Sequence, residues 1–326
     1  MPTHFILIEK GEIMSDSNSF MQALKENNKE MMSQINKVDL HNHASYSCRL
    51  DYLINNNINI GNEKVSNIES LIQFSRKYIT PVKQTEQGLY LLLNGNFMNC
   101  INTGVFFVST DIDYKDCIRT FDSDVSKFID FLSQFKYDKL KIEWIIEISR
   151  DSYKEEYKDI IMEMINSGFF AGIDLVSTEN SIPNSMFLDF YKEANKLELK
   201  TKVHAGEQLG ADYVRECILD FNPKEIQHGI SIIEDESIMN IAKERNIVFN
   251  VCPTSNLVLG YVDSIKKHPI KKMYEYGLKV TIVTDDLLYF NSDINDEYLK
   301  LYSNKVLDEK ELDNIRGNGI YYCERS

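Results

Sequence analysis

The chain has 326 residues, 43% of them hydrophobic, enough to bury a large core and longer than a usual single domain unless the fold is a barrel. Its net charge of −14 and pI near 5.0 argue against a general nucleic-acid or anionic-membrane surface. The six cysteines lack C-x-x-C pairing, and no stretch approaches a secretory h-region or the roughly 20 apolar residues of a membrane span, so the chain reads as cytoplasmic and soluble.

A polar leader, residues 1–36, carries helical spacing in "SFMQALKENNKEMMSQI" from Ser19 and ends at the first strand candidate, "KVDLH" from Lys37. Seven more strand candidates follow: "GVFFVST" from Gly104, "KIEWIIEIS" from Lys141, "FFAGIDLVS" from Phe169, "LKTKVH" from Leu199, "EIQHG" from Glu225, "NIVFNV" from Asn246 and "LKVTIVT" from Leu278. Most are continuous apolar runs, as buried parallel strands are, and helical stretches separate the later ones. Eight strands each followed by a helix predict an α/β fold, a single (β/α)8 TIM barrel over residues 37–326. An open doubly wound sheet is the alternative, but no Gly-rich phosphate loop follows the first strand. Residues 60–100 are the least regular and read as a helical insertion after that strand, roofing the barrel mouth.

Four of the six histidines end a predicted strand: His41 and His43 the first, His204 the fifth and His228 the sixth. His4 in the leader and His268 beside Pro269 read as solvated. Imidazoles at i and i+2 of an extended segment share a face and can reach one ion, although an H-x-H pair alone is as readily a surface pair. Polar residues at the C-terminal end of barrel strands point into the catalytic mouth, so these four histidines converge. The eighth strand adds Asp285 and Asp286, a pair that alone would pass for a helix cap. Three imidazoles and a carboxylate with one open position suit a catalytic zinc.

The segments "KVDLHNHAS", "KVHAGE", "IQHGI", "VCPTSN" and "IVTDDLLYF" resemble, in order, the signature segments of the adenosine deaminase family, and the likeness runs from about Lys37 to Tyr298. Residues 60–140 match poorly. The resemblance implies a zinc-bearing TIM barrel that hydrolytically deaminates a 6-aminopurine. The expected partner is a small-molecule purine nucleoside or nucleotide, with no nucleic acid or membrane and a homo-oligomer left open. It implies that His41, His43, His204 and Asp285 hold the metal, Glu207 protonates the purine ring, His228 orients the attacking water and Asp286 hydrogen-bonds the base.

These roles agree with the chemistry. Attack at C6 needs a nucleophile that water becomes at neutral pH when a metal lowers its pKa to about 7. The ring must gain a proton at N1 from a carboxylic acid kept neutral in a dry pocket, and Glu207 follows His204 closely, past Gly206, which lets the backbone approach the base. The other zinc-deaminase class, with H-x-E and P-C-x-x-C, is missing here, since "VCPTSN" lacks the second cysteine; Cys252 reads as a packed residue.

The family's first motif usually carries a ribose-binding aspartate where Ser45 stands, and its fourth-strand motif a glycine where Ser177 stands; Leu287 replaces a usual proline. Ser45, Ser177, Gly206 and Asp286 are the expected substrate contacts. Ser45 resembles the AMP-specific branch, in which Arg49 would serve a phosphate, although a surface role suits Arg49 better. The leading expectation is deamination of adenosine or deoxyadenosine. The alternatives are the same reaction on a 5′-monophosphate, another amidohydrolase reaction at the same metal, or a catalytically dead binding module. A basic residue of the 60–100 segment facing the mouth would favour the monophosphate.

Overall fold

The structure, a computed structural model, describes residues 10–61 and 63–323, so His4 lies outside the described residues. Eight parallel strands follow one another around the sheet: β1 (Lys37–His43), β2 (Val105–Asp113), β3 (Lys141–Ser149), β4 (Gly172–Val176), β5 (Lys200–Ala205), β6 (Glu225–His228), β7 (Val248–Val251) and β8 (Lys279–Ile282). The β/α barrel expected from eight apolar runs is the one formed. Each strand is buried on both faces, which is why the runs do not alternate.

The seam between β8 and β1 closes only at the mouth. Asn42 and Asp285 form a bridge there, with the His43 N–H donating to the Asp285 carbonyl and the Asp285 N–H to the His41 carbonyl, each at 3.3 Å. Lower down, the helix Glu309–Cys323 covers the seam, packing Ile320 and Cys323 against Val38 and Leu40. Gly319 permits this approach, because a Cβ there would lie 2.7 Å from Val38 Cγ2.

The leader forms a helix, Lys10–Lys25, whose Phe20 packs edge-on against Tyr298 at 5.2 Å. The segment after β1 divides in two. Helix Ile68–Phe74 and the turn to Thr80 line the mouth, with Leu53 of the helix Leu50–Asn55 packed behind them against Phe74 and Ile79, whereas Glu86–Asn102 is the barrel's own helix, burying Leu89, Leu93 and Phe97 in the main core. The roof is therefore narrower than residues 60–100. Among the described residues no helix is long and apolar enough to cross a membrane.

Candidate active site

A cavity of about 460 Å³ opens at the C-terminal ends of the strands, within the usual range of about 300–1,000 Å³ for small-molecule sites. His43, His204, Glu207, His228, Asp285 and Asp286 all line it, with Ile68, Leu71 and Ile72 of the roof opposite. His41 lies beneath, fully buried.

His41, His43, His204 and Asp285 each offer a donor atom within 4.8 Å of the others. Asp285 Oδ1 is 3.4 Å from His41 Nε2 and 3.5 Å from His43 Nε2. The Nε2 atoms of His41 and His204, which face the centre of this group, are buried without a hydrogen-bond partner among the described residues, a costly arrangement for polar atoms unless a ligand claims them. Three imidazoles and one carboxylate converging in this way fit zinc better than magnesium or calcium, which prefer all-oxygen sites.

Behind each histidine stands a carboxylate from the next part of the barrel. Asp111 of β2 lies 3.0 Å from His41 Nδ1, Glu147 of β3 2.9 Å from His43 Nδ1 and Asp174 of β4 3.2 Å from His204 Nδ1. Such partners fix the ring and its tautomer, presenting Nε2 to the centre. The sequence reading missed all three. Their signal was acidic residues inside the buried apolar strands, Asp111 in "VSTDID", Glu147 in "WIIEIS" and Asp174 in "GIDLV", where a charge is rare unless paired.

The charges are strongly split. Burial works against the charged form of Asp285, but His41 and the other imidazoles hold its carboxyl well below the usual range. Burial and the neighbouring Asp285 and Glu147 carboxylates push Asp286 well above it. Glu207 is likewise raised well above 4.5, by burial and then by Asp285 and Glu179. Burial and the adjacent imidazoles keep His204 and His228 well below 6.5, so both are neutral. One ionised carboxylate therefore stands beside two neutral acids, the pattern that separates ligand from proton donor.

Local backbone sets these directions. Gly206 has φ of 79°, and a Cβ on it would meet Val214 and Ser231 at 2.4 and 2.7 Å, so its role is the left-handed turn and that packing. The buried Glu179 carboxylate accepts the N–H groups of Glu207 (2.9 Å) and Leu209 (2.8 Å), clamping the loop after β5. Ser177, at the mouth, has φ of 82°, a glycine-like conformation, with its hydroxyl donating to Asp151.

The remaining expected residues are placed as follows. Ser45 is buried and does not line the cavity; its neighbour Tyr46 does. Arg49 faces away, paired with Asp51 and Asp293 at 3.4 and 3.6 Å. Cys252 packs with Val38 and Val283, and burial pushes its thiol well above the usual range. His268, expected to be solvated, is instead 3% exposed, and its Nε2 lies 3.2 Å from Asn256 Oδ1.

The sequence model of the adenosine deaminase family matches residues 55–323. A putative adenosine/adenine deaminase of Treponema pallidum is 31% identical over 282 residues, covering 84% of this chain and 93% of its own. The chain belongs to the adenosine deaminase family. It is thus a hydrolase of the deaminase type. The fold of this family member recurs in two solved structures. An Arabidopsis N6-mAMP deaminase has TM-score 0.77 and 18% identity, covering 89% of this chain and 94% of that one. A zinc-bound amidohydrolase of Burkhoderia ambifaria has TM-score 0.75 and 20% identity, covering 89% and 85%.

Proposed function

We propose that the protein removes the 6-amino group from a 6-aminopurine nucleoside, or from its 5′-monophosphate, by hydrolysis. The observation that carries this is the neutral Glu207 carboxyl beside the His41, His43, His204 and Asp285 donor set, in one cavity. Zinc, held by those four residues, would supply the Lewis acidity that makes water nucleophilic at neutral pH. The donor chemistry and the zinc bound in the B. ambifaria protein support that choice of ion.

The chain's own groups then divide the work. Glu207 gives a proton to N1 as the water oxygen bonds to C6, so the ring accepts the electron pair without building an anion. His228 holds the attacking water and stabilises its developing charge. Asp286, protonated, hydrogen-bonds the base, and the backbone at Ser177 completes its cradle; Gly206, expected to contact the base, does not line the cavity. The C6–N bond breaks as one proton of the water passes to the amino group, which departs as ammonia; the other passes to Glu207, restoring the acid and leaving the product with a C6 carbonyl and a proton on N1. The cavity continues past Glu147 to Lys154 and Arg76, further than a free base needs, which favours a substrate with a sugar.

A monophosphate is favoured as the second reading by the cations of the rim: Arg76, from the roof, with Lys115, Arg119 and Lys154. Lys115 and Arg119 are each 3.7 Å from Asp113 Oδ2 and Lys154 is 3.2 Å from Glu156 Oε1, which offsets their charge, so Arg76 is the decisive one. The test is ammonia release from adenosine, deoxyadenosine, AMP, dAMP, adenine and N6-methylated analogues with zinc-loaded protein. Release from none of them refutes the reading. Arg76→Glu should lower kcat/KM for AMP relative to adenosine by about tenfold, as expected for reversing one partly exposed charge near a phosphate. An unchanged ratio removes the phosphate from this rim.

A further inference from the structure

The buried histidine that lies outside the metal cluster is linked to the chemistry by an unbroken chain of hydrogen bonds. It begins at a group whose polarity is certain. The Ile270 N–H donates to His268 Nδ1 at 3.1 Å, so Nδ1 is an acceptor and the proton of the neutral ring sits on Nε2. Burial pushes His268 down to about 3, which keeps the ring neutral. His268 Nε2 is 3.2 Å from Asn256 Oδ1, the oxygen of the amide that accepts its hydrogen.

The orientation of Asn256 follows. Its Nδ2 group faces the site, donating to Glu207 Oε1 at 2.8 Å and to His228 Nδ1 at 3.1 Å. All four side chains are buried. An amide nitrogen has two hydrogens and no acceptor, so both of its partners must accept. Glu207 Oε1 and His228 Nδ1, themselves only 3.2 Å apart, are thereby barred from sharing a proton with each other. In the neutral acid the proton is left on Oε2, and in the neutral imidazole it is left on Nε2. Were the amide reversed, its oxygen would call for a hydrogen on Glu207 Oε1 or on His228 Nδ1, and the protons would sit on the wrong atoms.

We propose that His268, acting through Asn256, is a positioning residue that fixes two protons at once, on Glu207 Oε2 and on His228 Nε2. The first is the proton delivered to the purine ring. The second makes His228 a hydrogen-bond donor toward the attacking oxygen rather than a base that takes its proton. The inference rests on the deamination reading for the use of these protons. The tautomer itself does not depend on which substrate is turned over.

The experiment combines kinetics with nitrogen NMR of protein labelled with 15N-histidine. The wild-type enzyme should show His228 as the Nε2–H tautomer. Asn256→Asp, an isostere that accepts from His268 but cannot donate, and His268→Phe should each lower kcat by about 10–100-fold, the usual effect of removing such a supporting partner. KM should stay within about threefold and metal content should be unchanged. His268→Gln, which restores a donor at the same reach, should recover most of the activity lost in His268→Phe. A wild-type His228 in the Nδ1–H form overturns the proposal even if every variant misfolds. So does either folded variant with wild-type kcat, or a folded His268→Gln as impaired as His268→Phe. If no 6-aminopurine is turned over while His228 is the Nε2–H form, the proposed function fails and the relay stands.

Discussion

Glu207→Gln separates proton transfer from every other role of that side chain. Glu207 Oε1 accepts from Asn256, so the amide in its place will turn its oxygen to Asn256 and its NH2 to the cavity. Shape and the hydrogen bond to the ring nitrogen are kept, and only the transferable proton is lost. Removing a general acid costs about 10²–10⁴-fold in rate, or about 2.7–5.4 kcal/mol at 1.36 kcal/mol per decade. The upper part of that range is expected, because burial and the Asp285 and Glu179 carboxylates hold Glu207 well above 4.5, so the native group is already protonated. The assay is initial-rate ammonia release with zinc content and circular dichroism measured in parallel. A second readout has a defined sign. With metal removed by chelation, the folded chain keeps the Glu207 proton between pH 4.5 and its raised value while the unfolded chain has released it. This contribution to stability therefore falls as pH rises through that window, and Glu207→Gln should be the more stable protein at pH 8, with less advantage at pH 4. A variant with kcat within tenfold of wild type, full metal content and native circular dichroism would show that the acid is elsewhere.

Three further outcomes are expected. Chelation should abolish turnover and zinc should restore it, whereas His41→Ala, which removes the deepest donor, should bind less than one metal per chain by elemental analysis. Asp111→Asn keeps the shape behind His41 but weakens the contact with Nδ1, now 3.0 Å, and should cost about 10–100-fold in metal affinity, measured by competition with a chromogenic chelator. Gly206→Ala forces a Cβ within 2.4 Å of Val214 Cγ2 at φ of 79° and should destabilise by at least about 2 kcal/mol in denaturant unfolding.

The barrel and the convergence of its strand-end histidines were legible because both are written in short-range patterns. A buried parallel strand is a continuous apolar run, and a histidine at its C-terminal end has the mouth to face, as His43, His204 and His228 do, with His41 one layer beneath them. What was not legible depends on contacts between distant segments. His268 follows "SIKK" and precedes Pro269, a context that reads as a surface turn, yet it is buried by packing against Asn256, twelve residues earlier in the chain. Ser45 and Tyr46 differ by one position in a loop, where no periodicity says which of them lines the cavity. Arg49 and Arg76 both follow the first strand in the sequence, and only the folded chain distinguishes the one that faces Asp293 from the one that faces the cavity.

The backbone at the strand ends explains why so many working groups reach one space. Side chains alternate along a strand, so residues 285 and 286 would point to opposite faces if β8 simply continued. Asp285 instead adopts φ of 61°, and both carboxyls line the cavity. His228 turns in the same way at the end of β6, with φ of 61°, and Ser177 just beyond β4 at 82°. Left-handed conformations at these non-glycine residues cost of order 1–3 kcal/mol each. Burying Asp286, Glu207 and Glu179 as raised carboxyls adds a further cost. Neither serves the barrel, whose apolar core would be satisfied by a straight strand end and a neutral loop. Both serve the arrangement of the ionised Asp285, the protonated Asp286 and Glu207 and the neutral imidazoles of His204 and His228 around one cavity, and that arrangement is what a hydrolytic deaminase requires: a metal-binding face, a proton to give and a polar wall that holds the base.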